Sequence, residues 1–148
     1  MATFTISSDY RYVLLAATLS TFVPSYHTHV TDAFRAKAGV QYPNAYASAA
    51  EAAVSTDKYR FNCAQKAHAN FTENHTSFVC ALLIAGLEYP KLSAVLGSLW
   101  SVARVLYLLG YTRKEHAENG KGRHWGTWWA FPHIILIGLA VASSLKVL

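Results

Sequence analysis

The chain has 148 residues, 53% hydrophobic and 14% charged, with a formal net charge of +5 and a mean hydropathy of +0.18. A charged fraction well below the usual quarter argues against a soluble domain, and the length suits one domain. The positive residues lie between apolar segments and not in a basic stripe. That excludes nucleic acid as the expected partner and favours anionic head groups or an anionic substrate.

The opening residues, MATFTISSDYRY, lack a basic n-region and an A-x-A site, so the first apolar stretch is expected to be a retained span. That stretch, residues 10–30, is diluted by Ser and Thr and interrupted by Pro24. Residues 35–59 form a long loop whose alanine-rich middle, AYASAAEAAVS, is either a short surface helix or plain loop. Residues 60–89 form the second predicted span, long enough to project beyond a bilayer at its polar end. The turn Glu88-Tyr89-Pro90-Lys91 forces a hairpin into the third span, residues 91–111. The fourth, residues 124–148, opens on Trp125, Trp128 and Trp129, an interfacial aromatic belt, and tolerates Pro132 near its start. The predicted fold is all-α: a single domain forming an integral membrane four-helix bundle.

Charge sets the expected orientation. Arg35, Lys37, Lys58 and Arg60 flank the first long loop, and Arg113, Lys114, Lys121 and Arg123 the second; the other side has Arg11, Lys91 and Lys146. Both long loops are then cytosolic. The sequons Asn70-Phe71-Thr72 and Asn74-His75-Thr76 fall inside a span and are expected to be unused. Cys63 and Cys80 form no metal or redox spacing and read as packing residues; the seven histidines form no HExxH or tight cluster, so no metal is expected.

Two polar stripes carry the chemistry. Asn62, Lys66, Asn70 and Glu73 share one helix face within an arc of roughly 80°, and Trp100, Arg104, Tyr107 and Tyr111 share another within about 60°. Charges this close to an apolar run are costly in lipid unless they face a partner or a ligand. Arg104 and Glu73 are either a helix-pairing ion pair or part of a site. With Arg35, Lys121 and Arg123 at the same depth, cations, a carboxylate, amides and phenols converge. A small zwitterionic or anionic peptide suits that set: carboxylates to Arg and Lys, an amine to Glu, backbone groups to Asn.

The run Lys66-Ala-His-Ala-Asn70-Phe-Thr-Glu73, followed by Ala103-Arg104-Val-Leu-Tyr107-Leu-Leu-Gly110-Tyr111, resembles the signature of the membrane-associated proteins in eicosanoid and glutathione metabolism. Val40-Gln-Tyr-Pro43 and Phe61-Asn-Cys-Ala-Gln-Lys-Ala-His68 resemble its microsomal glutathione S-transferase 3 branch. The resemblance implies a homotrimer binding glutathione between protomers near the cytosolic face, in the endoplasmic reticulum or outer mitochondrial membrane. It implies Lys66, Asn70 and Glu73 as glutathione-binding residues, with Arg35, His68, Tyr107 and Tyr111, and with Arg104 in a layer beneath. It also implies a cation after the third span at the thiol, Arg123 or Lys121, with Arg123 favoured because it cannot lose its proton.

The chain departs from the family pattern in three places. Lys66 stands where the family usually has Arg, Asn74 where the leukotriene C synthase branch has Tyr, and Ala36 where that branch has a second cation. The last two weigh against leukotriene C synthesis more than against glutathione chemistry in general. The expected activity is a glutathione transferase or peroxidase acting on a lipophilic electrophile or lipid hydroperoxide from the bilayer. The alternatives are a non-catalytic lipid-binding scaffold of the lipoxygenase-activating type and an ion or proton carrier using Glu73 and Arg104.

Overall fold

The computed structural model describes residues 6–113 and 118–147; Lys114 of the second basic loop and Leu148 of the last predicted span lie outside the described residues. Among the described residues there is no strand. The helices are α1 (Tyr10–Ser20), α2 (Phe22–Ala38), α3 (Ala49–Val54), α4 (Thr56–Glu88), α5 (Pro90–Tyr111) and α6 (Ala130–Val147). Short 3-10 segments, Glu118–Trp125 and Thr127–Trp129, lead into α6.

The predicted segment 10–30 is two helices, because Pro24 lacks an N–H and its ring crowds the carbonyl four residues back, at Ser20. The chain breaks at Thr21 and resumes, and α2 then runs on to Ala38, where Gly39 adopts the left-handed conformation (φ 63°) that ends many helices. Arg35 and Lys37 in its last turn suit the negative end of the helix dipole. Helix α4 has 33 residues, about 50 Å at 1.5 Å per residue, against a hydrocarbon layer of about 30 Å. Its projecting end carries the first polar stripe. Pro90 occupies the first turn of α5, where its missing donor is harmless. The 3-10 turns take in residues 124–129, which the fourth predicted span counted as helix; Gly126 there, after Gly120 and Gly122, disfavours α-helix.

Helix α4 packs against α2, α5 and α6, and α1 against α5. The main core joins Val13, Ala16, Phe71, Phe78, Leu82, Leu96, Trp100 and Leu136. Phe78 and Trp100 stack with centroids 3.8 Å apart and planes 7° from parallel. A second cluster, Ala64, Ala67, Tyr107 and Leu108, sits beneath the polar stripes. Pro90–Tyr111 and Thr127–Lys146 are each long and apolar enough to cross a membrane, with mean hydropathy 1.6. Leu14, Leu15 and Leu19 on α1 and Phe131, Ile134 and Ile137 on α6 face outward. A soluble surface rarely presents so much apolar side chain; lipid accounts for it.

Helix α3 resolves the alanine-rich stretch as helix. Ser48 and Glu51 form a reciprocal capping box, and Lys58 pairs with Glu51. Hydrogen bonds from Lys58 and Ser48 hold the Glu51 carboxyl down to about 2 from an ordinary 4.5. A lowered carboxyl pKa stabilises the folded form above the unfolded value, and that help is lost as pH falls through the folded one. Relative to intrinsic rates, α3 amides are expected to lose exchange protection between pH 4.5 and about 2. Glu51→Gln, already lacking the charge, is expected to show no such step.

Candidate functional site

The second stripe turns wholly inward. Trp100, Arg104 and Tyr107 are buried and Tyr111 half-buried, all on the face of α5 toward α4 and the 3-10 segments. Arg104 is 0% exposed, and one Nη donates to Asn70 Oδ1 at 2.9 Å. Its Nε and other Nη have no hydrogen-bond acceptor. They are surrounded instead by the rings of Phe71, Trp100, Tyr107 and Trp129, with centroids 4.7–5.6 Å from the guanidinium carbon. Aromatic faces attract a desolvated cation, which is how this charge is tolerated. His27, also fully buried, meets the Arg104 carbonyl through Nε2 at 3.3 Å.

Glu73 is not the partner of Arg104. Its side chain is 58% exposed, and its nearest cation is Lys66, two helical turns away, at 3.9 Å. A pair so exposed contributes little to stability, so both groups are available to a ligand. Asn62, first in the row, is committed elsewhere: its amide donates to Ala47 O at 2.9 Å and accepts from Ala47 N at 2.8 Å, tying the long loop to α4. Asn70 accepts from Arg104 through its oxygen, which leaves its amide nitrogen as the free donor. Asn74 donates to Asn70 O at 2.8 Å. Both sequons therefore lie within a packed helix.

Tyr107 and Tyr111 meet edge to face at 5.5 Å, and the Arg123 guanidinium is in hydrogen-bonding contact with the Tyr111 phenol. Arg123 also donates to Gly120 O at 3.1 Å. Lys121 points outward. The loop carrying both is seated by two glycines. A Cβ at Gly110 would strike the carbonyl of Gly122, and one at Gly126 the backbone of Ala103 and Tyr107. Only glycine lets the two backbones approach that closely. Arg60 adds a tie from α4 to the end of α5, donating to Thr112 O at 2.7 Å.

Asn70, Arg104, Tyr107, Tyr111 and Arg123 thus form one connected line, with Lys66 and Glu73 exposed on the same helix as Asn70. Two expected members stand apart. His68 lies about 160° around α4 from Lys66 and Asn70 and faces α2, with its ring 6.2 Å from His27. Arg35 is buried under its own loop, donating to Asn44 O at 2.8 Å and stacked between Tyr42 and Phe61 at 4.2 and 4.6 Å.

Sequence reasoning missed Trp129 and His27 as supports of Arg104; neither shares a periodic stripe with it. Of the two cysteines read as packing residues, Cys63 is buried, with its thiol against the Tyr59 phenol near Arg123, and Cys80 is exposed. Among the described residues no group of His, Cys, Asp or Glu could hold a metal.

These features define an all-α membrane protein with a cluster of cations, amides and phenols at the loop end of α4 and α5. The MAPEG family model matches residues 13–145, so the chain belongs to the MAPEG family. Its general role is therefore in lipid- and glutathione-related membrane metabolism, in a family that includes enzymes.

Two variants test the supports of the site. Asn70→Ala leaves the Arg104 charge with rings alone and is expected to cost about 1.5–3 kcal/mol of stability in detergent, the range for a hydrogen bond to a charged group. Gly126→Val is expected to cost about 1–3 kcal/mol by overpacking and to push the Arg123 segment off α5. Unfolding curves measure both, and cross-linking between cysteines at Tyr111 and Arg123 reports the displacement.

Proposed function

We propose that the protein is a membrane-bound glutathione transferase with peroxidase capacity, of the microsomal glutathione S-transferase 3 type, working as a homotrimer with its site toward the cytosol. The observation that carries the reading is the Arg123 guanidinium held beside Tyr111, in line with Tyr107 and Asn70. Lys66 takes a glutathione carboxylate, Glu73 the amine and the free Asn70 amide nitrogen a backbone carbonyl. Arg35 joins only by exchanging its Asn44 carbonyl for a carboxylate. His68 is left out of the contact set, and Arg104 acts through Asn70.

The nucleophile is glutathione's own thiol, which titrates near 8.5 when free, so little thiolate exists at neutral pH. Arg123 stabilises the thiolate by charge and hydrogen bonding. Lowering the thiol pKa by about two units needs roughly 2.7 kcal/mol of preferential interaction with the thiolate. That is within reach of one charge-assisted hydrogen bond at a partly desolvated site. In conjugation the sulfur lone pair forms the C–S bond with a lipophilic electrophile, whose leaving group departs with the old bonding pair or whose double-bond electrons shift and take up a proton. In peroxide reduction it attacks the distal oxygen, the lipid leaves as an alcohol, and a second glutathione completes the disulfide and releases water.

The test is thiolate ultraviolet absorbance of glutathione bound to the detergent-purified protein at neutral pH. The wild type and Lys121→Ala are expected to show it and Arg123→Ala to lose it. No signal in the wild type, with glutathione failing to bind at millimolar concentration, overturns the transferase reading in favour of the lipid-binding scaffold.

A further inference from the structure

A second feature lies at the opposite end of the helices and involves none of the residues proposed for glutathione. Asp9 precedes α1 and Lys91 is the second residue of α5; their side chains pair at 3.3 Å. From that point α1 and α5 run side by side, and a groove of about 530 Å³ opens between them. Its walls are Leu15 and Leu19 from α1 and Val95 and Leu99 from α5, each between 44% and 56% exposed. The one hydroxyl on the α5 wall, Ser98, is satisfied within its own helix by Ala94 O at 2.9 Å, so the trough is apolar along its length. From Lys91 to Leu99 it runs about 12 Å into the hydrocarbon depth.

The mouth differs from the trough. Lys91 is 75% exposed and lines the groove, as does Tyr12, whose phenol accepts from the Arg11 guanidinium at 3.1 Å. Arg11 and Lys91 against the single carboxylate of Asp9 leave the mouth with one net positive charge. Tyr10, Tyr12 and Tyr89 ring the same end, where tyrosines favour the head-group level of a bilayer. A cationic rim at head-group depth over an apolar trough matches an amphiphile, with charge at one end and hydrocarbon at the other. A packed protein helix would have to cover Lys91 and Arg11 and desolvate them.

We propose that this groove binds one acyl chain of an anionic phospholipid, with its phosphate against Lys91 and Arg11. The site stands whether or not the protein acts on glutathione.

The test is lipid retention by the detergent-purified full chain, measured by native mass spectrometry with phosphatidylglycerol and phosphatidylcholine of identical acyl chains. Phosphatidylglycerol is expected to be held about five-fold more tightly, the effect of one lysine near an anionic head group, and the margin to shrink at high salt. The double variant Arg11→Gln and Lys91→Gln is expected to abolish the margin; both side chains are exposed, so folding is not at stake. Val95→Trp, which fills the trough, is expected to weaken both lipids. Equal retention of the two lipids by the wild type overturns the proposal. So does efficient disulfide formation between copies of a Val95→Cys variant, which would show that a second copy of the chain covers the groove.

Discussion

The buried guanidinium of Arg104 is the constraint on which the cytosol-proposed end of this molecule depends. A full positive charge with no carboxylate beside it among the described residues is costly in an apolar interior, and here four aromatic rings and one amide make it tolerable. Those groups come from α4, α5 and the segment leading into α6, while His27 of α2 holds the carbonyl of the same residue. Satisfying one side chain therefore fixes four segments relative to one another. Asn70 is oriented as a consequence: with its oxygen taken by Arg104, its nitrogen is the group left to meet a ligand.

Arg123 is held by a different means. Its segment is short, polar and 3-10, and it cannot bury an apolar face. Backbone contact replaces side-chain packing: Gly110 lies against Gly122, and Gly126 against Ala103 and Tyr107. The result places a cation against Tyr111. Glu73 stays outside, paired loosely with Lys66.

The helices were legible because their signals are local. Apolar runs and the Tyr89-Pro90 turn each act within a few residues; the Ser48–Glu51 cap is as local, but went unread and left the alanine-rich stretch open between helix and loop. The inward face of α5 was legible from periodicity alone. What periodicity could not supply was partner choice. Arg104 and Glu73 are complementary by charge, yet geometry gives Arg104 to Asn70, because a glutamate at that position points to the surface. His68 fits the motif by sequence adjacency and fails by angle, since two residues along a helix turn a side chain nearly to the opposite face. The roles of Trp129 and the glycines depend on contacts between distant segments, which no local pattern encodes.

Arg35 shows how a residue can belong to both the fold and a site. Its guanidinium closes the loop after α2 by holding Asn44 O and lying between Tyr42 and Phe61. It also borders a recess of about 290 Å³ with Asp32, Gly39 and Gln41. Its Nε is buried without an acceptor, so the loop satisfies only part of its donor capacity. An arginine has five donors in a rigid fork, and a carboxylate accepts two at once. A peptide carboxylate entering that recess would take the place of the Asn44 carbonyl while the guanidinium kept its stacking between Tyr42 and Phe61. Lysine in the same place could not do both, because a point charge offers no second edge. The exchange of Arg for Lys at position 66 is tolerable for the opposite reason: that side chain is exposed, holds no loop, and has only to supply charge.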